Sequence, residues 1–91
     1  MAAIHLRVVG KVQGVGFRWF VRENAVKLGI AGWVQNTSSG DVEVAASGDE
    51  AKLAILEAAV SRGPAGASVQ HVERIPPPSA ITYPSPFRIE R

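Results

Sequence analysis

The chain has 91 residues, a formal charge of +2 and 46% hydrophobic residues, enough for one hydrophobic core and too short for several. It has no cysteine, which excludes a disulfide framework, a thiolate zinc site and a thiolate nucleophile. No stretch approaches the roughly 20 apolar residues of a membrane span, residues 1–7 lack the apolar run of a signal peptide, and no dense basic block points to nucleic acid. One domain over residues 1–91, cytoplasmic and monomeric, is the expectation.

In chain order, Ile4, Leu6 and Val8 alternate with His5, Arg7 and Val9, the period-two pattern of a strand with one face in the core. Gly10 to Gly16 reads as a loop. From Phe17 the period lengthens: Phe17, Val21, Ala25 and Leu28 recur at helical spacing, and Gly29 supplies the stop. Ile30 to Val34 predicts a second strand and Val42 to Ala46 a third. Between them the turn formers of "NTSSGD", Asn36 to Asp41, predict a hairpin with a slightly long loop.

Ser47 to Glu50 has the S-x-x-E form of a capping box. Leu53, Leu56 and Val60 then mark a second helix, ended by Gly63 and Pro64. Val69 to Ile75 predicts a fourth strand, although Val69 and Val72 lie three apart. "PPPS" from Pro76 suits a surface loop and no interior strand. Phe87 and Ile89 alternate with Arg88 and Glu90 as a short last strand. The order βαββαβ predicts an α+β, ferredoxin-like sandwich: a mostly antiparallel sheet, two helices on one face and a short extra C-terminal strand.

The segment "GKVQGVGFRWF", Gly10 to Phe20, carries three glycines within seven residues, then an arginine. Glycine lets other groups approach the main chain, and free N–H groups at a helix start attract anions. The plain alternative is a tight strand-to-helix turn whose glycines serve geometry alone. Generic phosphate motifs fail. Phe17 follows Gly16 where a P-loop needs lysine, and the dinucleotide fingerprint is absent. An RNA-binding module shares the βαββαβ plan, but its stacking aromatics belong on the third strand. Here Val42, Val44 and Ala46 offer no rings, and the aromatics open the first helix instead.

"VQGVGFR", Val12 to Arg18, resembles position for position the signature of the acylphosphatases. "GIAGWVQNTSSGDVEV", Gly29 to Val44, resembles their second signature, carried by Gly32, Trp33, Val34, Asn36 and Gly40. The spacing between the segments agrees, as do "LGI" before the second strand and "RGP" after the second helix. The resemblance covers nearly the whole chain. It implies hydrolysis of the carboxyl-phosphate bond of an acyl phosphate, without cofactor or metal. It also implies a phosphate held by Gly14, Val15, Gly16, Phe17 and Arg18, with Arg18 adding its side chain and Asn36 orienting water. One departure stands at the end: the family commonly closes F-x-I-R-Y, whereas this chain closes "FRIER", which puts in doubt any help that the terminal aromatic or its carboxylate gives in setting Arg18.

The residue types suit that chemistry. Phosphoryl transfer needs positioning and charge stabilisation more than covalent help. A carboxylate leaving group needs no strong general acid, and an amide can direct water. Without the second signature Asn36 reads as a turn residue, and Arg18 alone as a surface arginine. Thr37 is expected to support Asn36 by hydrogen bonding, His5 to be a half-exposed strand residue, and Trp19 and Trp33 to pack. The remaining alternatives are a module that only binds acyl or carbamoyl phosphate, or an RNA binder on the same fold.

Overall fold

The computed structural model describes residues 2–77 and 81–90. The elements are β1 (Ala2–Lys11), α1 (Phe17–Lys27), β2 (Ala31–Asn36), β3 (Val42–Gly48), α2 (Glu50–Arg62), β4 (Ser68–Arg74) and β5 (Arg88–Glu90). The strands form a single sheet in the order β4-β1-β3-β2-β5, antiparallel except for the β2–β5 pair. This is the ferredoxin-like arrangement that the sequence predicts. Pro76 and Pro77 lie outside any element, and residues 78–80 of the "PPPS" segment and its neighbour fall outside the described residues. Among the described residues no helix is long and apolar enough to cross a membrane.

The core follows from the two periodicities. Ile4, Leu6 and Val8 of β1, Val34 of β2, and Val42, Val44 and Ala46 of β3 turn one face of the sheet toward the helices. Phe17, Val21 and Ala25 answer from α1, and Leu53, Leu56 and Val60 from α2. Phe87 completes the cluster from the C-terminal segment. Each fully buried side chain of this size contributes about 1.5–3 kcal/mol relative to exposure, so the core and not the short helices holds the fold. α1 closes as its Gly29 predicts: Gly29 N–H donates to Val26 O at 3.1 Å and Ile30 N–H to Ala25 O at 3.0 Å, the paired bonds of a Schellman end.

Two local expectations are corrected, and the irregular fourth strand is explained. The cap of α2 is Asp49, whose carboxylate accepts from Lys52 N–H at 3.2 Å, and not Ser47; Ser47 is still paired within β3, opposite Ala3 and Ala31. His5 is buried at 4% exposure. Its ring meets the edge of Trp33 at a centroid distance of 5.5 Å, and Nε2 stands 3.4 Å from Glu43 Oε2. The face of β1 away from the helices is therefore not simply solvated. The odd spacing of Val69 and Val72 reflects a bulge: Val8 pairs with Val72 and Val9 with His71, but Gly10 pairs with Val69. Gln70 is the extra residue, and both valines pack against the core. On the surface Arg74 Nη2 reaches Glu57 Oε1 at 2.6 Å. That bond and charge raise the already high pKa of Arg74 and join β4 to α2, although an exposed pair of this kind adds little stability.

The bulge places the β4 backbone against Gly10, where φ is 139° and a Cβ would overlap the Ser68 carbonyl. Gly10→Ala is expected to lower stability by about 2–4 kcal/mol, since positive-φ strain alone costs about 1–3 kcal/mol and the overlap adds to it. Urea unfolding measures the loss; an unchanged midpoint would mean that the strand pair relaxes freely.

Candidate active site

β1 and β2 end, and β3 begins, at the same end of the sheet: Val8 and Asn36 both sit opposite Val42. The loop after β1 and the turn after β2 therefore meet there. Gly14 and Gly16 in that loop have φ of 75° and 74°, a region that strains any residue with a side chain. Open space surrounds both Cβ positions, so the backbone shape and not crowding requires glycine.

That shape delivers the chain into α1 with Gly16 as the cap residue. No side chain caps the helix, and its first turn holds no acidic residue. The first intrahelical acceptance is by Gly16 O from Phe20 N–H at 3.0 Å. The N–H groups of Phe17, Arg18 and Trp19 thus have no helical acceptor. They carry the positive end of the helix dipole, which favours an anion. α2 differs: Asp49 caps it and Glu50 stands in its first turn.

A cavity of about 160 Å³ opens at this helix start, lined by Val12, Gly14, Gly16, Phe17, Arg18, Trp19, Asn36 and Ile89. Arg18 is half-buried and meets no carboxylate among the described residues. Arg7, Arg22, Arg74 and Arg88 each have such a partner. Arg62 likewise meets none among the described residues, but it is exposed in the last turn of α2. The Asn36 side chain makes no hydrogen bond to the described residues, and its Oδ1 is shut off from solvent. A buried polar atom without a partner costs about 1–3 kcal/mol. Neither end of this amide is committed to the turn it adjoins; with Oδ1 shut off from solvent, it is Nδ2 that can meet a water, as a donor.

A helix start with free N–H groups, a guanidinium and an amide that have no partner among the described residues therefore line one small cavity. The acylphosphatase family profile matches residues 4–89. The chain belongs to the acylphosphatase family. An acylphosphatase from Koribacter versatilis (strain Ellin345) is 49% identical over 83 residues, which span 91% of this chain and 74% of the relative. The crystal structure of acylphosphatase from Bacillus subtilis is similar over all of both chains, with a TM-score of 0.83 and 35% identity. The structure of an acylphosphatase from Coxiella burnetii is similar with a TM-score of 0.83 and 42% identity, over 97% of this chain and 90% of that one.

Set against the residues that the family resemblance implies, the cavity brings together Gly14, Gly16, Phe17, Arg18 and Asn36. Val15 does not line it and instead packs partly against the core. Thr37 does not bond to Asn36. Its hydroxyl accepts from Asp41 N–H at 3.2 Å and lies 3.0 Å from Ser39 Oγ, so it closes the turn and supports Asn36 through the backbone alone. Trp19, expected to pack, is 59% exposed, lines the cavity, and has the Arg22 guanidinium 5.1 Å from its ring. A signal existed: Trp19 falls about 200° around the helix from Phe17, off the apolar stripe. Ile89 reaches the cavity because β5 lies beside β2, opposite Val34.

An anion at this helix start stabilises the folded chain by mass action. Inorganic phosphate at a hundred times its dissociation constant is expected to add about 2.7 kcal/mol, read as a rise in the thermal midpoint by circular dichroism. Arg18→Ala is expected to lose most of that rise. Full phosphate stabilisation in folded Arg18→Ala would mean that the anion binds elsewhere.

Proposed function

We propose that the chain hydrolyses the carboxyl-phosphate bond of acyl phosphates by direct attack of a water. The phosphoryl group lies on the amides of the Gly14–Arg18 loop with the Arg18 guanidinium over it, and Asn36 presents the water. The observation that carries this reading is the shared cavity, at an uncapped helix start, of an Arg18 and an Asn36 that have no partners among the described residues.

The chemistry needs little more. Charge develops on the equatorial oxygens of the transferring group, and fixed donors stabilise it without reorganising. Arg18 offers a planar, always-charged fork suited to two of those oxygens. The leaving carboxylate is a weak base, with a conjugate acid near the usual carboxyl value of about 4, so it departs unprotonated at neutral pH. Water then attacks phosphorus on the side opposite the leaving group, and the phosphate product takes up the proton that water releases. Among the described residues no group of three or more His, Asp or Glu could hold a metal ion, and each step is assigned to groups already in the cavity.

The RNA-binding alternative draws no support from β3, the strand on which such modules carry their stacking rings. Facing away from the helices are Glu43 and Ala45 of β3, paired with Arg7 and His5 of β1. A carboxylate and a methyl group give bases neither a stacking surface nor a favourable charge.

Purified protein is expected to hydrolyse benzoyl phosphate at neutral pH, with activity unchanged by exhaustive EDTA treatment. A tenfold loss restored by magnesium or zinc would overturn the metal-free route. Arg18→Ala is expected to lower kcat by about 10²–10³ and to weaken inhibition by phosphate, with poor rescue by Arg18→Lys. Asn36→Ala is expected to lower kcat by a similar order while the phosphate inhibition constant stays nearly constant, the pattern of an interaction made mainly in the transition state. If Asn36→Ala instead keeps full turnover, the water-orienting role is wrong.

A further inference from the structure

The phosphate loop and Asn36 belong to strands that are not neighbours. The loop follows β1, Asn36 ends β2, and β3 lies between them. No ladder hydrogen bond runs directly from β1 to β2, so the sheet alone leaves the two parts free to shift by the give of two strand pairs and a turn. Gln13 spans this gap. It stands immediately before Gly14, and its side-chain Nε2 donates to Thr37 O at 2.9 Å and to Asp41 O at 2.8 Å. Both amide protons are used, both bonds are short, and the side chain is partly buried. Thr37 and Asp41 are the two ends of the turn, already tied by Thr37 N–H to Asp41 O at 2.9 Å. Gln13 therefore grips the mouth of the turn one residue from Asn36.

We propose that Gln13 is a positioning residue for the hydrolysis: it sets the distance between the phosphate cradle and the water held by Asn36. The inference rests on the reading above, in which Asn36 directs the attacking water. In-line attack tolerates little error, and a misplacement of about 1 Å can cost ~10² in rate. Stability alone does not account for this bridge. Without Gln13 the Thr37 carbonyl still accepts from Gly40 N–H at 3.3 Å, and the Asp41 carbonyl still accepts from Thr37 N–H. Losing the amide thus orphans neither carbonyl, and what disappears is the tie between turn and cradle.

The test is a double-mutant cycle on the purified chain, reading kcat for benzoyl phosphate and the inhibition constant of inorganic phosphate. Gln13→Met keeps length and volume without the donor. Gln13→Glu keeps the shape but sets a carboxylate against two carbonyl oxygens, which drives the turn away. Each variant is checked for folding by circular dichroism and urea unfolding, and either one suffices for the cycle. The folded variant is expected to lower kcat by about 10–100-fold with the phosphate inhibition constant within about twofold of the parent. Combined with Asn36→Ala, it is expected to lower kcat by less than about twofold further, because Gln13 acts only through Asn36. Full additivity with Asn36→Ala, or a phosphate constant that weakens in step with kcat, would overturn the proposal and leave Gln13 as a support of the cradle. If Asn36→Ala is slow while the folded Gln13 variant turns over normally, this inference alone falls. If Asn36→Ala itself turns over normally, the water-orienting reading falls and takes this inference with it.

Discussion

The uncapped start of α1 is the constraint on which the rest of the site depends. Most helices satisfy their first N–H groups with a Ser, Thr, Asp or Asn side chain, and α2 of this chain does so with Asp49. α1 begins after a left-handed glycine that has nothing to offer. The unmet donors leave a partial positive charge of roughly half an electron at the helix end. A carboxylate cap would stabilise the helix and close the cavity to an anion. The helix persists without one because Phe17, Val21 and Ala25 are anchored in the core, and tertiary packing supplies most of the stability of a short helix. Core packing thus offsets an unfavourable terminus, and the terminus is left available for a ligand.

The same economy governs charge. With a formal charge of +2, the chain attracts anions only weakly as a whole. Binding must come from a local arrangement, and pairing creates that locality. Arg7, Arg22, Arg74 and Arg88 are each neutralised by nearby carboxylates, whereas Arg18 meets none among the described residues. Half-buried beside free helix amides, Arg18 acts in a setting where water screens less than at the surface. Asn36 is the neutral counterpart, a polar group whose oxygen is withdrawn from solvent and has no partner among the described residues.

These groups are brought together by topology as much as by motif. In a ferredoxin-like sheet the first and second strands run parallel with the third strand between them. Their C-terminal ends therefore project from one edge, separated by one strand. That separation creates room for a cavity but gives no direct backbone tie across it. Gln13 provides the tie through its side chain, and Thr37 stiffens the turn at the far end. β5, parallel to β2, brings Ile89 to the same edge as an apolar wall.

Much of this was legible in the sequence because it depends on neighbours along the chain. The switch from period two to helical spacing at Phe17, the stop at Gly29 and the turn chemistry of Asn36 to Asp41 are local effects, and the structure follows them closely. The glycine pattern before Arg18 likewise encodes a backbone shape that few other residues can adopt. The capping assignment failed where two local signals competed: Ser47 fits a capping box, but β3 pairing claims it and leaves Asp49 to cap. What no local signal contained was which side chains meet across the fold. His5 is buried because Trp33 reaches it from another strand. Val69 and Val72 share a face because a bulge forms opposite Gly10. Gln13 reaches Thr37 and Asp41 over 24 and 28 residues of chain. The sequence by itself determined the elements and the backbone shape of the glycine loop, since these arise from backbone preference and residue type within one turn or strand. Only the tertiary structure decided that, among the described residues, Arg18 meets no carboxylate and the Asn36 amide no partner, and that both open on one cavity, because each is a question of which distant groups come within hydrogen-bonding distance.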